Sequence, residues 1–382
     1  MPTVRADQLQ TLVIRACECM GASREDAEHV AACLVRANLC GYDSHGVYRL
    51  AQYHEWWKAG LLDPAARPVV IAETAYAARV DGRHAFGQVA AAFATRVAIE
   101  KARKSGVAVV TVMGSNHMGR LADYVEAMQE AGLIGLAMVN DSGAGQWVVP
   151  WGGMEPRLAT NPIAMGIPGG TGPGILFDFS TSAAAQGKVR QLLLRGEAAP
   201  PGWLIDANGK ETTDPACLFA EPHGALLPAG SHKGYALSLA VEVLSGILSG
   251  AGFVRPDPGP EEMNGMFILA LDVAWFLPAD QFRAQVDQLT AYVKSAKSNP
   301  FAGDACGPAP ASEAEASSFT SAETSPQAFS SMLGGLSTSV SMSCSERRFS
   351  ISALSSSRNF HRPRTPRGES SPPMAGPIQA QP

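Results

Sequence analysis

No stretch of this sequence reads GxGxxG between a strand and a helix, and none reads GxxxxGK[ST]. Neither of the common glycine-rich phosphate cradles is therefore available. Charge is also scarce. Charged residues make up 17% of the 382, and 30 Lys+Arg stand against 35 Asp+Glu for a net charge of −5. Without a basic patch or a basic amphipathic helix, no nucleic acid and no anionic membrane is expected as a partner. The seven cysteines are odd in number and irregularly spaced. That pattern suits neither a disulfide scaffold nor a CxxC-type zinc site, so no metal is expected. The opening MPTVRADQLQ has no apolar core of a secretory signal. The most apolar run, residues 235–254, carries Glu242 at its middle among serines and glycines, which fits a buried helix better than a membrane span. These absences together describe a cytoplasmic globular protein, long enough for one large or two ordinary domains.

Composition changes near residue 303. Thirteen serines lie in 1–303 and nineteen in 304–382, and the latter stretch has no Lys, Tyr or Trp. Residues 304–382 keep neither a 3.6 nor a 2.0 period, so they read as a low-complexity, disordered Ser/Pro-rich tail. The body alternates helix and strand signals. Helices are expected over 6–20, from Ser23 with Asp26 as a capping pair to about 37, and from Asp43–Ser44 to about 58. Short strands are expected at VVIAET and AARVDG, then a helix over 88–104. VAVVTVMG, a helix over 121–131 and LIGLAMVN form a strand–helix–strand unit, which implies an α/β sheet. A helix over 235–249 and the strand-like MFILALDV finish the body. The glycine-rich IPGGTGPG lies between a turn and a strand and reads as a hairpin-like loop.

Three clusters carry chemistry. In Asp43-Ser44-His45-Gly46-Val47-Tyr48-Arg49, a helix starting at Ser44 would stack His45 and Arg49 at i and i+4. Two cations side by side serve structure poorly and serve a 2-oxo acid well. Arg grips the carboxylate through paired hydrogen bonds while His stands by the adjacent carbonyl oxygen as proton donor. Spacing alone also allows a plainer arrangement, with Ser44 as a cap and both side chains at the surface. Gly114-Ser115-Asn116-His117-Met118-Gly119 follows a buried strand and precedes a helix, where α/β folds hold ligands, although a polar turn fits equally. Ser231-His232-Lys233-Gly234 opens the apolar helix. Cationic side chains at a helix N-terminus oppose its dipole, and a bound pyrophosphate would reconcile the two; a solvated turn is the alternative. Asp178, Thr160 and Lys188 stand at strand ends or just beyond, where turn roles are the simpler explanation. Glu242 is expected to have a structural partner.

Taken together, DSHGVYRLAQY, GSNHMGRLADY, WGGMEPRLATNP, FDFSTSAAAQGKV, RGEAAPPGWLIDANGKETTDP and SHKGYALSLAVEVLSGIL resemble the malate/L-lactate dehydrogenase family of type-2 NAD(P)-dependent oxidoreductases. The six motifs run in order from about residue 5 to about 300. The resemblance implies an α/β, mixed-sheet, non-Rossmann fold with an N-terminal helical segment, and a homodimer. It implies hydride transfer between NAD or NADP and a small 2-oxo/2-hydroxy acid. It places the acid/base at His45 with Ser44 orienting it and Arg49 on the carboxylate. His117 falls at substrate or cofactor and is the rival for the acid/base role. Thr160 and Lys188 fall at the substrate. His117, Met118, Gly119, Arg120, Asp178, Phe179, Ser180, His232, Lys233 and Gly234 fall at the dinucleotide. Lys188 stands where imino-acid reductases of the family tend to carry Asp, which favours 2-oxo acids over cyclic imino acids such as Δ1-pyrroline- or piperideine-2-carboxylate.

The chain departs from the family pattern at its end. Members close with a proline-glycine-glutamate segment that contributes to nucleotide binding, whereas here the resemblance fades after SAKSNPFAGD, as a shifted reading frame would produce. The expected organisation is thus 1–66, an N-terminal helical substrate-site segment; 67–250, a nucleotide-binding α/β region; 251–303, a returning segment packing on the N-terminal part; and 304–382, the tail. An active reductase and a catalytically impaired homologue with an incomplete nucleotide site both follow from this reading.

Overall fold

The computed structural model describes residues 4–143, 145–256 and 263–297. The tail expected over 304–382 lies outside them, as do the last residues of the expected returning segment. The first helix, α1 (Ala6–Met20), places Val13, Ile14, Cys17 and Met20 on one buried face and stops at Gly21, whose φ of 106° is left-handed. A second helix, α2 (Arg24–Leu39), starts as the sequence predicts, with Ser23 Oγ accepting the Asp26 amide. Its buried face of Ala27, Val30, Ala31 and Leu34 meets α1 and a third helix, α3 (Arg49–Lys58), through Tyr53 and Trp56.

The third helix starts later than expected. Asp43–His45 form a separate 3-10 turn, Gly46 is extended, and α3 begins only at Arg49. His45 and Arg49 therefore do not share a helix face. The reason lies on α2. Asn38 Oδ1 accepts the Val47 amide at 2.9 Å and Nδ2 donates to Asp43 at 2.6 Å, so the loop is pinned from outside. A Cβ on Gly46 would lie 2.2 Å from Asn38 Oδ1.

The chain then forms β1 (Val69–Glu73), β2 (Ala77–Asp81), α4 (Gly87–Ser105), β3 (Val107–Ser115), α5 (Ala122–Glu130) and β4 (Leu133–Asp141). A hairpin follows, β5 (Pro162–Ile167) and β6 (Ile175–Ser180), joined by the glycine-rich stretch as expected. Next come α6 (Gln186–Arg195), a small three-stranded sheet of β7 (Leu204–Ile205), β8 (Glu211–Thr212) and β9 (Ala225–Leu226), and α7 (His232–Val241). The helix α7 begins three residues earlier than the sequence suggests and passes into a π turn over Glu242–Ile247. Finally β10 (Asn264–Asp272) and α8 (Ala279–Lys294) complete the described chain.

The main sheet has seven strands in the order β1-β2-β3-β10-β4-β5-β6, and only β2 and β3 pair in parallel. The strand–helix–strand unit is present, but its strands are not neighbours. β10 lies between β3 and β4, antiparallel to both. Ala90, Ala94, Ala98 and Ala102 recur every four residues on α4, and their small side chains let that helix sit close on β3 and β10. Among the described residues no helix is long and apolar enough to cross a membrane.

Candidate active site

The site grows from the ends of β3 and α2 and from the starts of α3 and α4. Past β3, the Asn116 amide reaches the carbonyls of Leu61, His84 and Ala85 at 3.0–3.2 Å, which fixes the loop carrying His117. Gly87 opens α4 directly against that loop, where a Cβ would meet the His117 carbonyl at 2.2 Å. His117 Nδ1 lies 2.8 Å from the Tyr53 hydroxyl, which itself receives a hydrogen bond from Gln88 Nε2 at 2.8 Å. The two imidazoles meet here. His45 and His117 stand with ring centroids 5.4 Å apart, tilted by 31°.

His45 Nδ1 is 3.0 Å from Ser44 Oγ. Arg49 returns toward them by another route than helix stacking. Its Nε donates to the Ser44 carbonyl at 2.7 Å and its Nη1 to Gln52 at 2.6 Å. The sequence thus predicted the right neighbours for the wrong geometric reason. Lys188 arrives from α6, whose Gly187 is packed so tightly on Ser44 that a Cβ would sit 2.3 Å from the serine Cβ. Burial, then Arg49, then Lys188 push the His45 imidazole down to about 3. Burial foremost, with Arg49 and His45, also holds His117 well below its ordinary range. Both rings are therefore neutral at pH 7 in the protein alone, and both stand in a cationic field that only an anion would cancel.

A second group gathers where β6 ends and α7 begins. The Ala229 amide donates to the Thr181 carbonyl at 2.9 Å, and Ala183 donates to Leu227 at 2.8 Å, so Phe179 and Ser180 are tied to the segment leading into His232, Lys233 and Gly234. No side chain caps α7 at Ser231, whose φ is 60°, and His232 and Lys233 are exposed. Trp151 lies 5.5 Å from the His232 ring, and Phe179 exposes its ring while stacking on Phe177 at 5.4 Å. Open helix N–H groups, an ammonium and exposed aromatic faces form a donor set that fits a dinucleotide.

Several other expected residues also make contacts within the protein. The Asp178 carboxylate accepts the Ala122 amide at 2.9 Å and so caps α5. Burial raises its pKa, against the lowering effects of that amide and Arg120. Arg120 is buried, and its guanidinium is committed to Asp123 at 3.0 Å and Glu126 at 3.1 Å, with Arg36 joining Glu126 at 2.8 Å. Met118 is buried and donates its amide to Asn264 at 3.2 Å, and Gly119 takes a φ of 77°. The Thr160 carbonyl accepts both the amide and the hydroxyl of Thr181 at 3.0 and 3.1 Å. Glu242 finds the structural partners expected of it, Asn161 at 2.8 Å and Asn140 at 3.2 Å. Two residues of the site went unread in the sequence, Tyr53 and Gln88. Tyr53 closes the DSHGVYRLAQY motif, but no spacing rule points it at His117, and Gln88 gives no signal at all.

Comparison with known proteins now gives this architecture its place. The family described as malate/L-lactate dehydrogenase matches residues 4–315, and this chain belongs to it. That match runs past the point near 300 where the resemblance fades. The family is one of NAD(P)-dependent dehydrogenases. The L-sulfolactate dehydrogenase of Methanothermobacter thermautotrophicus is 39% identical over 290 residues, covering 75% of this chain and 83% of that protein. The Δ1-pyrroline-2-carboxylate/Δ1-piperideine-2-carboxylate reductase of Pseudomonas syringae pv. tomato is 40% identical over 251 residues, 66% of this chain and 72% of the other. Among solved structures, the sulfolactate dehydrogenase of Methanocaldococcus jannaschii superposes with a TM-score of 0.75 at 30% identity, over 86% of this chain and 95% of that one.

Proposed function

We propose that the chain transfers hydride between NAD(P)H and a small 2-oxo/2-hydroxy acid. The observation that carries this reading is the pair of neutral imidazoles 5.4 Å apart beside Arg49 and Lys188. Arg49 holds the substrate carboxylate, with Thr160 and Lys188 lining the same pocket. The bound nicotinamide supplies the hydride. His45 supplies the proton to the oxygen that becomes the hydroxyl, oriented by Ser44. An anion seated on Arg49 cancels part of the field that keeps His45 neutral, so proton uptake follows substrate binding and the acid is charged only when it is needed. His232, Lys233 and Gly234 hold the pyrophosphate at the α7 N-terminus. Phe179, Ser180, Met118 and Gly119 line the remaining cofactor surface, while Asp178 and Arg120 serve it indirectly by fixing α5. NAD and NADP both fit this donor set.

Two further features belong to the same proposal. Leu239, Val243, Ile247 and Leu248 expose a continuous apolar face along α7 and its π turn, which supports a second copy of the chain as the covering partner, a homodimer. Cys17, Cys33, Cys40 and Cys217 are thiols, in keeping with a cytoplasmic setting.

The reading as a cyclic imino-acid reductase draws support from the Pseudomonas relative. A second cation beside Arg49, Lys188, opposes it, because the protonated imine is itself cationic. The test is a fluorescence titration with NADH and NADPH, followed by cofactor oxidation with oxaloacetate, pyruvate and Δ1-piperideine-2-carboxylate. We expect turnover of a 2-oxo acid, and His45→Ala should lower it about 10²- to 10⁴-fold while leaving cofactor binding unchanged. A wild-type rate in His45→Ala would move the proton donor to His117. Failure to bind either cofactor would mark the chain as a catalytically silent homologue.

A further inference from the structure

The two histidines are wired differently. His45 Nδ1 faces one serine hydroxyl, and among the described residues Ser44 Oγ has no other hydrogen-bond partner. A hydroxyl both donates and accepts, so Ser44 can serve either tautomer of His45 by rotating its proton. His117 has no such freedom. Gln88 Nε2 donates to the Tyr53 oxygen at 2.8 Å, and Tyr53 Oη lies 2.8 Å from His117 Nδ1. Tyr53 has a single proton, is 1% exposed, and among the described residues has no other acceptor within reach. With one lone pair taken by Gln88, its O–H must donate to His117 Nδ1 or be buried without a partner. An unmet buried donor costs enough to bias the tautomers by about 10- to 100-fold. Burial also pushes the Tyr53 hydroxyl far above its ordinary range, so it remains a donor at every working pH.

The direction of the Gln88 amide follows from the same reasoning. As placed, Gln88 leaves its carbonyl oxygen without a partner in a fully buried site. Turning the amide over would set that oxygen on Tyr53 but leave both N–H donors unmet, against one N–H and the oxygen as placed, and an unmet donor is the costlier defect. The relay therefore runs one way, from Gln88 to Tyr53 to His117 Nδ1. It leaves Nδ1 bare of hydrogen and the proton on Nε2.

We propose that Gln88 and Tyr53 are positioning residues that lock His117 as its Nε2–H tautomer. His117 then presents a fixed, neutral N–H to the substrate oxygen, while the proton itself is exchanged through His45. The division of labour rests on the dehydrogenase reading; the tautomer lock does not. The geometry explains why two histidines so close together need not compete. One is held in a single hydrogen-bonding sense and polarises, and the other can load and unload a proton in both directions of the reaction.

The test is a long-range ¹H–¹⁵N correlation on the full chain labelled with ¹⁵N-histidine, with the His117 ring assigned by its loss in His117→Gln. In the wild type we expect a bare Nδ1 and a protonated Nε2. Tyr53→Phe keeps the ring stacked on Trp56 and edge-on to Phe86 but removes the donor, and should give a mixture of tautomers. Gln88→Leu frees Tyr53 to accept, and should raise the Nδ1–H form. Both variants should lower kcat by about 10-fold or more with a smaller change in KM. A protonated Nδ1 in the wild type overturns the proposal, and needs no variant to be seen. So does a wild-type His117 signal in Tyr53→Phe. If the wild type oxidises no NAD(P)H with any 2-oxo acid yet its His117 is Nε2–H, the lock stands and the dehydrogenase reading fails.

Discussion

Acid should unfold this protein through its active site. An unfolded His45 titrates near 6.5, whereas the folded one, buried beside Arg49 and Lys188, titrates at about 3. Between these values the unfolded chain binds a proton that the folded chain does not. Lowering the pH therefore favours unfolding, and the contribution of the neutral ring is complete above pH 7 and lost as pH falls from 6.5 toward 3. From pH 6 to pH 5 the unfolded state gains on the order of 1 kcal/mol from this one group. His117 is held down in the same sense and adds to the slope. The assay is urea denaturation at pH 6 and pH 5, on the wild type and on His45→Gln, which keeps a polar side chain but cannot titrate. The wild type should lose on the order of 1 kcal/mol more than the variant over that unit, since every other titrating group is common to both. Parallel losses in the two proteins would refute the claim that His45 is held neutral by its surroundings.

Arg49→Lys should raise the KM for a 2-oxo acid at least about 10-fold, because an ammonium cannot both tie to the Ser44 carbonyl and fork onto a carboxylate; steady-state kinetics with saturating cofactor reads this directly. Lys188→Asp should raise the His45 pKa by removing one cation and adding an anion, and should shift preference toward Δ1-piperideine-2-carboxylate by on the order of 10-fold, measured as a ratio of kcat/KM values. Asp178→Ala should cost about 1 kcal/mol of stability, or about 2–4 °C in Tm, as a lost helix cap. The same variant should leave the NADH dissociation constant within about threefold in a fluorescence titration, and a large loss of cofactor binding at unchanged Tm would return Asp178 to the nucleotide.

Local order was legible in the sequence wherever it is periodic. The first two helices, the cap at Ser23, the alanine-rich α4 and the strands around residues 110 and 137 all follow from spacing. What spacing could not supply is interference from elsewhere in the chain. The His45–Arg49 stack fails because Asn38 pins the intervening loop open at Gly46. The strand β10 enters the sheet from more than a hundred residues away to separate β3 from β4, and no local pattern encodes that neighbour. Arg120 pairs with Asp123 three residues on, a local partner legible in the sequence. Tyr53 and His117 are 64 residues apart, and only the fold makes them a pair.

The two halves of the candidate site are also joined mechanically. Asn161, next to Thr160, is buried with a φ of 39° and donates to Ser238 Oγ at 2.9 Å and Glu242 Oε1 at 2.8 Å. Those partners lie on α7 and on the first residue of its π turn. Asn140, at the end of β4, reaches the same carboxylate at 3.2 Å and the Gly252 carbonyl at 3.0 Å. Within the π turn Gly246 sits so close to the chain beyond it that a Cβ there would meet the Gly252 carbonyl at 2.4 Å. Burial raises the pKa of the Glu242 carboxyl, while hydrogen bonds from Asn161, Asn140 and the Val254 amide act to lower it. A shift of α7 along its axis would break these buried hydrogen bonds. Thr160, through its neighbour Asn161, and the helix that His232 and Lys233 open are thereby tied to one buried carboxylate.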